Sequence, residues 1–305
     1  MSFASETKNE ICKGMPQNSC CQKAECYGLL LFAKNFSLHT ITLTTENGTV
    51  AHHAAQLAAR VTGSYVDLST ALFHADAHKS AYTLTVAGEE QRKAVLACFG
   101  YDGSEISLRI NHANLDGDCC ESAFLKGAFL SCGTVTNPEK DYHLEFVVPF
   151  LNLARDFITL LSEVDSLDLQ PALVNRKGAY VVYIKGSERI ADLLTYIGAP
   201  NAAMELMQVK MVKEVRNYVN RKTNFETANI DKTVSAAAKQ VEAIEKISRS
   251  MGLESLPEEL RELAALRLEN PEMSLRELGE SLSEPISRSG VNHRLQRLME
   301  IAENL

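Results

Sequence analysis

The stretch Cys20-Cys21-Gln22-Lys23-Ala24-Glu25-Cys26-Tyr27-Gly28-Leu29-Leu30-Leu31 decides the fold, because the chain states it twice. Cys119-Cys120-x-x-Ala123-x-x-x-Gly127-x-Phe129-Leu130 repeats its pattern 99 positions later. Tyr82 to Gly88 (YTLTVAG) returns as Tyr180 to Gly186 (YVVYIKG), and Gly100 as Gly198, both 98 positions on. An offset held over four landmarks means one duplicated unit of about 100 residues, packed against its own copy. Two copies are too few for a solenoid, so the expectation is a pseudo-twofold domain with repeats at about 20–100 and 119–198.

Composition sets the frame around that duplication. With 305 residues, two domains are expected. An apolar fraction of 45% and a charged fraction of 23% fit a globular chain. No apolar run approaches a membrane span, and the polar, acid-bearing start MSFASETKNEICKG is unlike a secretion signal. The reading is a cytoplasmic, nucleoid-associated protein that does not engage membranes. All eight cysteines precede residue 133, and the adjacent pairs lack the CxxC spacing of zinc sites. They are read as free thiols acting as small core residues at the repeat interface, with no metal or other cofactor expected. A net charge of −8 excludes a wholly electrostatic nucleic-acid coat but not local basic surfaces.

Each repeat reads as α-β-β-α-β-β-α, a mixed α+β unit. Residues 21–35 and 120–134 are apolar helices with a glycine at equivalent places. Glycine inside a helix costs about 1 kcal/mol against alanine, so its repeated use predicts a close backbone approach at Gly28 and Gly127. Copy one continues with a strand at Ser37–Thr44, a hairpin turn at Glu46-Asn47-Gly48 and a helix near His52–Val61. Strands near Ser64–Ser69 and Ala81–Val86 and a helix at Glu89–Cys98 complete it. Copy two gives strands at Thr134–Thr136 and Tyr142–Val148, a helix at Phe150–Glu163, strands at Leu169–Asn175 and Ala179–Lys185, and a helix at Glu188–Tyr196. Asp116 and Asp118 are expected to cap the helix at 120–134.

This pattern resembles the LAGLIDADG homing-endonuclease fold. Cys26 to Lys34 and Leu125 to Gly133 align with its nine-residue motif through their glycines. The resemblance implies a saddle of two sheets for DNA, with a metal-binding acid at the motif's eighth position. That position is Ala33 in one copy and Cys132 in the other. Neither offers the carboxylate oxygens that a hard divalent cation wants, so no catalytic residues and no nuclease activity are expected.

A basic helix, Met204–Thr223, closes the first domain at residue 223. Lys210, Lys213, Arg216, Arg221 and Lys222 make it a candidate phosphate-contacting strip. The second domain, 224–305, reads as helical: a helix at Asp231–Met251 ending at Gly252, and a helix opened by Pro257 and closed by Asn270-Pro271. A capping box Ser274-x-x-Glu277 follows. Ser283-Glu284-Pro285-Ile286 turns the chain, and Ser287 caps a last helix with Val291, Leu295 and Leu298 inward. Short helix, turn and amphipathic helix over about 273–300 is the helix-turn-helix pattern. Pro285 to Met299 contains no acid. Ser289, Asn292, His293, Gln296 and Arg297 lie opposite the apolar stripe, where Asn and Gln suit adenine edges and Arg suits guanine. Ser287, Arg288 and Arg294 flank them as phosphate contacts.

Ala228-Asn229-Ile230-Asp231-Lys232-Thr233-Val234, Ser289-Gly290-Val291-Asn292-His293-Arg294-Leu295 and LPEELRELAALRLENP resemble the WhiA regulators. These bacterial proteins join a degenerate LAGLIDADG domain to a helix-turn-helix similar to region 4 of sigma factors. The resemblance spans the chain. It implies a sequence-specific DNA-binding transcriptional regulator tied to cell division and, in sporulating lineages, to sporulation. Double-stranded DNA is the implied partner, with other transcription factors or RNA polymerase as further candidates. An active nuclease and a non-catalytic adaptor of the division or chromosome machinery are the competing readings.

Overall fold

The computed structural model describes residues 1–72 and 80–305, with the side chains of Leu72 and Asp118 outside the described part. Two compact units divide it, Met1–Lys213 and Glu214–Leu305.

The first unit opens with α1 (Phe3–Ile11), which the sequence reading missed. Ser2 accepts a hydrogen bond from the Ser5 N–H at 3.3 Å, and Phe3, Thr7 and Ile11 bury one face at helical spacing. The duplicated unit then follows as expected in type and order. Copy one is α2 (Ser19–Leu31), β1 (Asn35–Phe36), β2 (Ile41–Thr45), α3 (Gly48–Thr62), β3 (Val66–Leu72), β4 (Ser80–Val86) and α4 (Glu89–Cys98). Copy two is α5 (Asp118–Cys132), β5 (Gly133–Val135), β6 (His143–Val148), α6 (Leu151–Ser162), β7 (Ala172–Arg176), β8 (Ala179–Lys185) and α7 (Ser187–Tyr196). Each copy folds one antiparallel four-stranded sheet, in orders β1-β2-β4-β3 and β5-β6-β8-β7. The registers agree as well: Leu84 faces Leu43, and its repeat partner Val182 faces Phe146.

The repeated glycines have physical reasons. A Cβ built on Gly28 would stand 2.3 Å from the Phe124 carbonyl oxygen, and one on Gly127 would stand 2.1 Å from that of Glu25. The interface helices α2 and α5 therefore touch backbone to backbone where the two copies meet, as the repeat pattern required. Gly100 and Gly198 take φ of 78° and 90° just past α4 and α7. The next residues, Tyr101 and Ala199, then bond back to Leu96 and Leu194 to close the helix ends. Aromatic rings join the copies into one core, with Phe32 4.7 Å from Phe157 and 5.9 Å from Phe124 between centroids.

Several expectations need correction. Asn47-Gly48 is no hairpin turn. The Asn47 side chain accepts from the Val50 N–H at 3.2 Å and starts α3, while the hairpin between β1 and β2 lies at Ser37–Thr40. Asn before Gly serves a turn or a cap equally well, and here the helix took it. Asp116 does not cap α5: the N-cap is Gly117, with no side-chain bond. The side chain of Asp118 lies outside the described residues. Cys21 and Cys120 are buried, but Cys20 and Cys119 are exposed, so not all the paired cysteines are core.

The two helices expected at 204–223 and 231–251 are one, α8 (Pro200–Ser250). No Gly or Pro interrupts residues 201–251, so nothing in the backbone stops the helix. Its N-terminus is held by Glu10, which accepts from the Asn201 and Ala202 N–H groups at 2.8 and 3.0 Å. The unit boundary at 213/214 and the residue-223 boundary expected from sequence both fall inside this helix. The second unit continues through α9 (Glu258–Glu269), α10 (Leu275–Glu280) and α11 (Arg288–Glu303). Ile244, Ile247, Leu260, Leu263, Leu278, Leu282, Val291, Leu295 and Leu298 form its core.

Candidate nucleic-acid interface

The second unit aims one polar helix outward, and each contact that aims it can be named. The expected capping box is present: Ser274 accepts from the Glu277 N–H at 3.3 Å, and its own N–H donates to the Glu277 carboxylate at 2.8 Å. The Ser274 N–H, and after it the Ser274 hydroxyl, hold the Glu277 carboxyl below its ordinary value. Gly279 of α10 lies so close to the turn that an added Cβ would stand 2.4 Å from the Ile286 carbonyl oxygen. The Ile286 N–H donates back to the Gly279 carbonyl at 3.1 Å. Glu262 of α9 accepts from both the N–H and the hydroxyl of Ser283, at 2.6 and 2.7 Å. Arg267, itself buried, donates to the carbonyls of Pro271 and Met273 and braces the loop before α10. Ser287 then caps α11 through the Gly290 N–H. Val291, Leu295 and Leu298 are buried beneath it, each at most 1% exposed.

The expected reader residues divide between two surroundings. Ser289, Asn292, His293, Gln296 and Arg297 are all exposed, as are Ser287 and Arg288. Asn292 and Gln296 line an open cleft of about 460 Å³ together with Lys232, Ser235, Lys239 and Met299. Arg288 and Asn292 line a neighbouring cleft with Lys232, Arg267 and Arg276. Ser289, His293 and Arg297 line neither cleft. Arg294 is half-buried and pairs with Glu259 at 3.2 Å, so part of its charge is spent inside the unit. Lys232 and Lys239, which sequence reasoning passed over, bring cations to the same side as Asn292. Their spacing of seven was the available signal, since it places both on one face of a helix.

The basic strip on α8 likewise divides. Lys210 pairs with Glu188 at 2.7 Å. Lys213 donates to the Pro138 carbonyl at 2.7 Å and sits 5.0 Å above the Tyr142 ring. Both serve the first unit's packing. Arg216, Arg221 and Lys222 are exposed and belong to the second unit.

The sheets of the first unit are poor in cations. Strands β2, β3 and β4 contain no Lys or Arg, and their non-core positions include Thr42, Thr44, Thr83, Thr85, Asp67 and Ser69. In the second sheet Arg176 and His143 both pair with Glu145, at 3.4 and 3.2 Å. At the motif's eighth position stand Ala33 and Cys132, which supply no carboxylate. Burial pushes the Cys132 thiol up to about 12. Lys8 of α1 donates to the Leu130 carbonyl at 3.1 Å, at the C-terminal end of α5, and burial lowers its ammonium to about 8. One place where the motif would hold a metal cation thus has a lysine ammonium beside it.

The four cysteines of the duplicated motif converge at the other end of the interface helices. The Sγ atoms of Cys20, Cys21, Cys119 and Cys120 all lie within 4.8 Å of one another.

A family model described as the WhiA C-terminal HTH domain matches residues 219–302, and one described as the WhiA LAGLIDADG-like domain matches residues 121–216. A protein named "Probable cell division protein WhiA" from Alkaliphilus metalliredigens is 37% identical over 313 residues, covering 99% of this chain and 98% of that protein. A protein of the same name from Clostridium botulinum is 38% identical over 317 residues, covering 100% and 99%. The crystal structure of full-length DUF199/WhiA from Thermotoga maritima matches with a TM-score of 0.61 at 25% identity, covering 100% of this chain and 99% of that one.

Proposed function

This chain belongs to the WhiA family, and from that membership we propose that it is a sequence-specific, double-stranded-DNA-binding regulator of transcription. Its relatives' name supports cell division as the process it regulates, and we propose sporulation as a further one in sporulating lineages, as the resemblance to the WhiA regulators implies. The observation that carries the reading is α11. It is a capped helix, clamped by Gly279 and Glu262, whose exposed face offers Ser289, Asn292, His293, Gln296 and Arg297 with no acid before Glu300. Such a face suits base edges in the major groove, with Ser287 and Arg288 toward phosphates. Arg216, Arg221 and Lys222 add sequence-independent attraction from α8. Lys210, Lys213 and Arg294 fit this role less well, because each is already engaged within the protein.

We further propose that the first unit, Met1–Lys213, is a non-catalytic scaffold. Ala33 and Cys132 cannot supply the oxygen ligands of a two-metal cleavage site. The protein then resides in the cytoplasm on the nucleoid. The test is genome-wide mapping of bound DNA in cells, followed by binding of the pure protein to a recovered site and to its scrambled version across a salt series. Preference for the recovered site, with steep salt dependence on both, is the expected result. Equal affinity for the two duplexes at every salt concentration would sink sequence-specific reading. Magnesium-dependent cutting of either duplex would sink the non-catalytic assignment.

A further inference from the structure

Cys20 and Cys21 begin α2, Cys119 and Cys120 begin α5, and the pseudo-twofold axis gathers the two pairs. None is in a disulfide. All six sulfur–sulfur separations fall within 4.8 Å, and that between Cys20 and Cys21 is 3.9 Å. A tetrahedral thiolate site with metal–sulfur bonds of about 2.3 Å requires sulfurs about 3.8 Å apart. Shifts of about 1 Å or less would complete it. We propose that these four thiolates bind one zinc ion in a closed structural site that clips the two repeats together.

The donor set selects the metal. Four sulfurs, with no carboxylate or imidazole among them, favour zinc over magnesium, calcium or manganese. Four protein ligands leave no open coordination position, so the ion has a structural and not a catalytic part. Four thiolates around a divalent cation carry net negative charge. They sit where two helix N-termini meet, and the positive ends of both helix dipoles favour such a charge. Cys20 and Cys119 are exposed while Cys21 and Cys120 are buried, so solvent reaches one side of the cluster and a metal has a way in. The site is separate from the motif's acid position, which lies about 20 Å further along each helix at 1.5 Å per residue. Adjacent cysteines make a half-site in each repeat, and the duplication makes the whole one. Neither half shows the CxxC spacing, because the chelate closes between repeats and not within one.

The test begins with the full chain purified under reducing conditions without chelator, its metal measured by mass spectrometry. One zinc per chain is expected. Replacing Cys20→Ser together with Cys119→Ser should remove it, whereas Cys98→Ser, which lies outside the cluster, should not. A second measurement needs no variant. The metal-free chain is titrated with cobalt(II), and the expected result is a tetrahedral thiolate spectrum that saturates at one equivalent and is bleached by zinc. Three outcomes would overturn the proposal: no retained zinc together with no tetrahedral cobalt spectrum; zinc retained in full by the folded double variant; or a disulfide among these four residues in protein isolated from cells with thiols trapped at lysis.

Discussion

Both units place a glycine where two backbone segments come too close for a Cβ, but they use it for different ends. In the first unit Gly28 and Gly127 let two equivalent helices touch inside a core, and the contact joins copy to copy. In the second, Gly279 lets a short helix lie against the turn at Ile286, and the contact sets the direction of α11. The first unit's paired glycine contact is thus its own interface, and one of its sheets has no cation in β2 to β4. The small unit has little core and carries the exposed polar chemistry. On the function proposed above, the duplicated fold serves as a platform and the later helices offer the reading surface.

The largest expected effect comes from breaking the first contact. In Gly127→Val the new side chain meets backbone atoms of α2, the Glu25 carbonyl oxygen at 2.1 Å and the Leu29 nitrogen at 2.8 Å. Backbone in a buried helix cannot swing away as a side-chain tip can. We expect a loss on the order of 5 kcal/mol or more, comparable to the whole stability of a domain. Calorimetry should show the first unit's transition lost or strongly lowered, while Gly14→Ala, with nothing within 4 Å, melts as the parent does. Equal melting of both variants would mean the helices do not meet at these glycines.

Next comes a buried charge cluster at the same interface. Glu25 is fully buried, with His53 at 2.6 Å and Lys126 of the other repeat at 3.1 Å. Its counterpart in copy two is Phe124, also fully buried, so the duplication kept the place and changed the chemistry. Glu25→Ala leaves a histidine and a lysine without their carboxylate and should cost about 3–5 kcal/mol in denaturant unfolding. A cost below about 1 kcal/mol would show that water reaches the cluster.

Third is the proposed reading helix, α11. Arg297→Ala should weaken binding to the recovered site by about 1–3 kcal/mol and change binding to scrambled DNA much less. Titration of both duplexes at one salt concentration decides it, and equal weakening would remove Arg297 from base reading.

Much of this was legible in the sequence. The repeat offset carried the α-β-β-α-β-β-α order of each copy, because equivalent residues meet equivalent neighbours, although the single strand expected at Ser37–Thr44 is split by a turn into β1 and β2. The capping box, the Ser287 cap and the inward leucines were equally readable, since each depends on residues a turn apart. What failed depended on contacts from elsewhere. Helix α1 is short and is fixed by packing Phe3, Thr7 and Ile11, not by its own propensity. Asn47 had two local uses, and tertiary bonds to α1, including one to Asn9 at 2.8 Å, accompany the cap. The sequence put the paired cysteines at the repeat interface but did not show four sulfurs within 4.8 Å of one another, because the halves are 99 positions apart and neither alone has a metal-site spacing. The cations of α8 looked alike in sequence, and only their partners separate them.

That separation gives the smallest and sharpest test. Lys210 and Lys213 are bonded within the first unit, to Glu188 and to the Pro138 carbonyl, whereas Arg216, Arg221 and Lys222 are exposed in the second. A cation that meets a phosphate releases a counterion, and losing that contact flattens the slope of log affinity against log salt by about one unit. Replacing Arg216, Arg221 and Lys222 by Ala should therefore flatten the slope on cognate and scrambled duplexes alike, without altering the ratio between them. Replacing Lys210 and Lys213 should leave the slope unchanged and instead lower the first unit's melting temperature, since Lys210 and Lys213 bond to the first unit's Glu188 and Pro138. Equal flattening by the two sets would put the whole helix on DNA and erase the division of labour between the units. No flattening by either would take the strip at 210–222 off DNA, leaving attraction to the phosphates to other cations of the second unit, such as Arg288 of α11 and Lys232 and Lys239 further along α8.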